Sequence, residues 1–207
     1  HLINTVKEIA ADYPNIRVGA ICADFSDALE WPEQASLENA PRLAFFPGST
    51  IGNQTPEEAV QFLARVRHMV GDEGYLLIGV DLKKDVDILN RAYNDAAGYT
   101  ANFNLNLLHR MKRELGAQLD VSNFAHDAFY NEAAGRIEMH LISQRDQSVE
   151  LGGQSFSFKK GESIHTENSY KYSIADFEDL ARQSGFEALK SWTDADNLFS
   201  IHYMRAV

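Results

Sequence analysis

"RLAFFPGSTIGNQTPEEAVQFLARVRHMVGDEGYLLIGVDL" runs from Arg42 to Leu82 and has the rhythm of a strand, a helix and a second strand. An apolar run ends at Pro47-Gly48, and small polar residues follow as far as Asn53. Thr55 then fits a helix N-cap, Pro56 the first helical position and Glu58 the partner in a capping box. Leu63, Val66 and Val70 recur at helical spacing, so that helix buries one face. "GYLLIGVDL" closes the unit as a buried strand. Strands alternating with a helix at these lengths predict a parallel sheet of the doubly wound type.

Upstream, "LINTVKEIAADYP" places Leu2, Val6 and Ile9 on one helical face, with Pro14 as the stop. "IRVGAICADF" reads as another buried strand, with Asp24 and Phe25 at its carboxyl end. Cys22 falls inside that run and is expected to be a buried, unreactive thiol. Downstream the alternation breaks. "DVDILNRAYNDAAGYTANFNLNLLHRMKRELG" is largely helical with a loop near Gly98. "RIEMHLISQ", "QSVELG" and "QSFSFKKGE" alternate apolar and polar residues as half-exposed antiparallel strands do. "IADFEDLARQSG" is a helix closed by Gly185, and "FEALKSWTDAD" with "LFSIHYMRAV" forms a closing antiparallel pair. The expected organisation is one sheet domain, residues 1–83 and 174–207, interrupted by a mixed α+β insertion over residues 84–173.

The 207 residues are 44% hydrophobic and 24% charged, an ordinary composition for a globular chain. Thirty acidic against 19 basic residues give a formal charge of −11, a field that repels a phosphate backbone. "RMKREL" has helical spacing and reads as a solvated face, so nucleic acid is not expected and a small-molecule substrate is. No apolar run reaches the roughly 18 residues of a membrane span, and no secretory pattern opens the chain. A single cysteine excludes an intramolecular disulfide framework and suggests a reducing cytoplasm.

Ligands of open α/β sheets bind at the carboxyl ends of the strands, which here means Asp24-Phe25, Gly48 to Asn53 and Asp81 to Lys84. An acid beside an aromatic ring suits a nucleoside, though the same pair also ends many strands without any ligand. The glycine loop has no dinucleotide or P-loop spacing. Gly48 permits close backbone approach, and Asn53 offers donor and acceptor together, which suits an amino acid's carboxylate and amine. Seven histidines are scattered without metal-ligand spacing, so no metal site is expected. No serine sits in a nucleophile elbow. Taken alone, Glu167 and Ser169 in "GESIHTENSYKY" read as loop or capping residues, and Met139 as core.

Together, "FFPGSTIGN", "GVDLKKD", "AYNDAAGYTANFNLNLLHR", "RIEMHLIS", "GESIHTENSYKY" and "FSIHYM" resemble the histidine-specific, S-adenosylmethionine-dependent Nα-methyltransferases of ergothioneine biosynthesis. The resemblance covers nearly the whole chain in the correct order. It implies a Rossmann-like class I methyltransferase sheet with an inserted substrate domain, and S-adenosylmethionine as cofactor. It implies that Gly48, Asn53 and Tyr93 hold the amino acid's α-amine and α-carboxylate, with Asn53 and Tyr93 nearest the chemistry. Glu167, Ser169 and Met139 would surround the imidazole, Thr100 would add a polar contact, and Asp24 and Phe25 would bind the adenine end of the cofactor. Tyr93 or Phe103 would face the methylated cation. The family's glycine-rich loop, ribose-binding acid and first strands are expected upstream of His1. The chain would then be the C-terminal portion of a monomeric parent, inactive by itself and able to self-associate through an exposed sheet edge. A relative acting on tryptophan or tyrosine, or a non-catalytic ligand-binding domain, is the alternative reading.

Overall fold

The computed structural model describes residues 1–24 and 40–207. The principal sheet contains β1 (Leu43–Phe46), β2 (Tyr75–Asp81), β8 (Phe186–Thr193) and β9 (Phe199–Ala206), in the order β1-β2-β9-β8. β1 and β2 are parallel, and β9 pairs antiparallel with both β2 and β8. Helices α2 (Pro56–Val70) and α5 (Ile174–Gln183) contribute to its core. α2 starts where the capping box requires. Thr55 Oγ1 accepts from Glu58 N at 3.2 Å and Glu58 Oε2 accepts from Thr55 N at 2.8 Å. Phe62, Leu63 and Val66 of α2 meet Leu76, Ile78 and Val80 of β2, with Phe177, Phe186 and Met204 completing the core. Burying each such side chain stabilises the fold by about 1.5–3 kcal/mol relative to exposure.

A second sheet lies between β2 and α5 in the chain. It consists of β3 (Phe124–Asn131), β4 (Arg136–Ser143) and β7 (Ser163–Tyr170), antiparallel in the order β3-β4-β7. Helices α3 (Val86–Tyr93) and α4 (Tyr99–Leu115) pack on β3 and β4, and β5 (Gln147–Leu151) pairs with β6 (Gln154–Phe158) as a hairpin. The break between α3 and α4 falls at Gly98, as the sequence suggests. The chain leaving β2 and the chain entering α5 run side by side: Lys83 N donates to Tyr172 O at 2.9 Å, and Tyr172 N donates to Asp81 O at 3.2 Å. That double crossing brings the end of β7 against the carboxyl end of β2.

Three expectations are corrected. Ile16–Asp24 forms no strand and is almost wholly exposed, and Phe25 lies outside the described residues. Cys22 is exposed rather than buried. Helix α1 (Leu2–Asp12) forms, but its apolar face buries no residue. An apolar run becomes a parallel strand only with a ladder partner and covered faces. β1 pairs with β2 alone among the described strands, and Leu43 and Phe45 stay 54% and 67% exposed. β3 and β7 are strands the sequence pattern did not reveal. Both carry polar residues at intervals an apolar periodicity rule skips, and their pairing with β4 decides their state.

Candidate active site

β7 departs from regular pairing at one place. Met139 stands opposite Glu167, whereas His140 stands opposite His165, so Thr166 is the extra residue of a bulge. The single Thr166 Oγ1 proton is shared between two acceptors, Asn104 Oδ1 at 2.8 Å and Met139 O at 3.0 Å. Asn104, buried on α4, passes its amide protons to His140 O and His126 Nδ1, each at 3.0 Å. With Nδ1 accepting, His126 Nε2–H donates to Tyr93 O at 2.8 Å. One polar relay thus fixes α4, the end of α3 and the bulge in a common frame.

Within that frame Glu167 and Ser169, two residues apart, share a face of β7. Tyr93 comes down on this face from the last turn of α3. The start of α4 is held by Asp95, whose carboxylate accepts from Thr100 N at 2.8 Å and Tyr99 N at 2.9 Å. Those bonds, the Thr100 backbone foremost, lower the Asp95 carboxyl to about 2. The result is a cleft of about 330 Å³ lined by Tyr93, Thr100, Met139 and Glu167 with Ala92, Tyr99 and Phe103. Five residues named from the sequence therefore converge. Burial raises the Glu167 carboxyl above its ordinary value, against the opposing pull of the Lys171 charge.

Beneath the cleft lies a cation that sequence reasoning passed over. Lys171 is 2% exposed, and its Nζ reaches Asp81 Oδ2 at 2.6 Å, Ser169 Oγ at 2.8 Å and Tyr93 Oη at 3.0 Å. Tyr93 Oη in turn donates to Ser169 Oγ at 2.8 Å. Lys84 binds the other oxygen of Asp81. Period two was the available signal: Lys171, one residue past the end of β7, continues the spacing of Glu167 and Ser169.

The glycine loop meets this network from the principal sheet. Ser49, in a left-handed conformation, accepts from Asp81 N through Oγ at 2.9 Å. The following 3-10 turn, Thr50–Asn53, packs on β7, and a Cβ at Gly52 would lie 2.8 Å from Tyr170 O. Gly48 differs. A Cβ there would meet only Thr50 Oγ1, at 3.7 Å, so its backbone face is open. The side chains of Asn53 and Asp24 are exposed.

Glu138, His140 and His165 form a cluster outside the cleft, with ligand-type atoms within 4.8 Å of one another. Its geometry is that of a stack rather than a chelate. The two imidazoles lie nearly parallel, 4.6 Å apart, so their in-plane lone pairs do not converge. Glu138 Oε1 is already held by Arg136 and Asn131.

Residues 1–206 match the model of a family described as histidine-specific methyltransferase, SAM-dependent. The chain belongs to this family. Its mixed sheet, with one parallel pair and two antiparallel closing strands, is accordingly a Rossmann-like methyltransferase sheet, and the family's methyl donor is S-adenosylmethionine. The chain is 37% identical to histidine N-alpha-methyltransferase of Mycolicibacterium smegmatis, over 93% of its own length and 60% of that protein. It is 26% identical to ergothioneine biosynthesis protein 1 of Neurospora crassa, over 93% of this chain and 22% of that one. L-tryptophan methyltransferase trpM of Psilocybe serbica is 27% identical over 99% of this chain and 59% of its own. The chain thus spans about 60% of the length of the mycobacterial relative.

Proposed function

We propose that this protein transfers methyl groups from S-adenosylmethionine to the α-amine of L-histidine, giving the trimethyl betaine, in the cytoplasm. The observation that carries the reading is the cleft in which Tyr93, Thr100, Met139 and Glu167 meet above Ser169. A carboxylate and a hydroxyl two residues apart on one strand match a small ring with nitrogens on both sides. Residues 84–173 serve in this reading as a substrate domain inserted into the methyltransferase sheet, supported by the separate β3-β4-β7 sheet.

S-adenosylmethionine supplies an electrophilic methyl carbon. The exposed Asp24 carboxylate, an acceptor for an exocyclic amine, fits the adenine end of such a donor, while the open backbone at Gly48 is left for the amino acid's α-amine and α-carboxylate. The chain's own work is to present a neutral amine. An α-amine of pKa about 8 is roughly 90% protonated at pH 7, so it must lose a proton before its lone pair can react. Asn53 fixes the α-carboxylate and the Tyr93 hydroxyl orients the α-amine, with proximity supplying most of the acceleration. Glu167 accepts an imidazole N–H, Met139 packs on the ring and Thr100 adds a polar contact. The faces of Tyr93 and Phe103 accommodate the fixed cation as methyl groups accumulate.

The test is to incubate the full-length protein with S-adenosylmethionine and each amino acid, following product masses. Trimethylated histidine is the expected dominant product. Dominant methylation of tryptophan, the substrate named for the Psilocybe relative, would overturn the assignment. An indole N–H also suits Glu167, so the Ser169 hydroxyl is what opposes that outcome: an indole has no bare ring nitrogen to accept from it.

A further inference from the structure

We propose that Lys171 is a positioning residue that sets the hydrogen-bond polarity of the cleft, leaving the Ser169 hydroxyl able only to donate and so selecting a neutral imidazole. This rests on the reading of the cleft as a histidine site. The argument is a count of protons and lone pairs. A lysine ammonium has three N–H donors and no acceptor. All three of its donors have partners: Asp81 Oδ2 at 2.6 Å, Ser169 Oγ at 2.8 Å and Tyr93 Oη at 3.0 Å. A serine oxygen accepts two hydrogen bonds. Ser169 Oγ receives both, one from Lys171 and one from the Tyr93 hydroxyl at 2.8 Å. Its own proton is what remains to offer.

A ring placed between Glu167 and Ser169 therefore meets an acceptor on one side and a donor on the other. A neutral imidazole in one tautomer matches both, with its N–H toward Glu167 and its bare nitrogen toward Ser169. An imidazolium presents a second N–H to a hydroxyl that cannot accept, with an ammonium 2.8 Å behind it. A ring without an acceptor nitrogen leaves the Ser169 proton stranded, and Ser169 is 7% exposed.

Neutralising Asp81 does not require Lys171, because Lys84 holds the carboxylate's other oxygen. An apolar side chain would fill such a site with less desolvation cost. The buried ammonium is explained by what it imposes on Tyr93 and Ser169.

The test measures calorimetric affinity in the full-length protein for L-histidine and for 3-(2-thienyl)-L-alanine, whose ring has no nitrogen. Lys171→Met should lower the preference for histidine over thienylalanine roughly tenfold, the scale for stranding a buried donor. Ser169→Ala should do the same, and the double variant should lose no more. A purely structural lysine would weaken both ligands equally, and its effect would add to that of Ser169→Ala. Either result overturns the proposal. Should Lys171→Met not fold, nitrogen NMR of ring-labelled histidine on the wild-type protein decides. At about pH 6, below the free imidazole pKa of about 6.5, the bound ring should show one protonated and one bare nitrogen. A doubly protonated ring refutes the polarity assignment while leaving the histidine site intact. Failure of the wild-type protein to bind histidine removes that site, and this inference with it.

Discussion

Glu167 is asked to be half-buried and ionised together. Burial raises its carboxyl while Lys171 draws it back, with burial the larger influence. A carboxyl raised by folding binds its proton more tightly in the native chain than in the unfolded one. Its ionised form therefore costs stability near neutral pH, and that cost fades as pH falls through the native pKa. Glu167→Gln removes the cost together with the full acceptor strength. Thermal unfolding near pH 7 should show an unchanged or higher midpoint, while histidine affinity measured by calorimetry falls by about 1–3 kcal/mol. A lower midpoint with unchanged affinity would mean that the carboxylate serves the fold alone. The sequence named this residue through a family resemblance. Its partner Lys171 shares the period-two spacing of Glu167 and Ser169, but that it is buried is recognisable only from the acceptors that surround it.

The loop after β1 contains two glycines with different physical reasons. At Gly52 the 3-10 turn presses on β7, and a Cβ would sit 2.8 Å from the Tyr170 carbonyl oxygen. Gly52→Ala should destabilise the fold by about 1–3 kcal/mol, the scale of overpacking, in denaturant titration. At Gly48 no backbone or core atom opposes a methyl group. Gly48→Ala should change stability by no more than about 0.5 kcal/mol while weakening ligand binding. Equal destabilisation by the two would remove the assignment of Gly48 to ligand approach. β7 shows the same limit at the scale of an element. Its cleft side carries Glu167 and Ser169, which an apolar periodicity rule reads as loop.

For the molecule as a whole, the principal core encloses a histidine ring. His202 on β9 is fully buried, contacts Ser200 Oγ through Nε2 at 2.8 Å, and has its Nδ1 without a partner. Burial lowers its pKa from 6.5 to about 4. The unfolded chain therefore binds this proton first, and native stability falls as pH drops from about 6.5 toward about 4. At about 1.4 kcal/mol per unit the loss is on the order of 3 kcal/mol. Glu167 contributes with the opposite sign, and Asp95 and Glu138, both lowered to about 2, lose their native advantage only at more acid pH. His202→Gln should flatten the stability profile across the histidine window in urea titrations at stepped pH. An unaltered slope would place the acid sensitivity elsewhere.

Local chemistry suffices for several features of this chain. A Thr-Pro-x-Glu start needs only its own four residues to begin α2, Gly98 divides α3 from α4, and strand alternation marks β4, β5 and β6. Family resemblance named Tyr93, Thr100, Met139 and Glu167, but their meeting depends on the Thr166 bulge, the Asn104 relay and the packing of two helices on the second sheet. Tertiary structure alone decided that Ile16–Asp24 finds no ladder, that Cys22 is exposed and that β3 and β7 are strands. It alone set Lys171 beneath Ser169. Helix caps and alternation act between neighbours in sequence, whereas ladders, desolvation and buried charge depend on residues such as Asp81, Tyr93 and Lys171 that folding brings together.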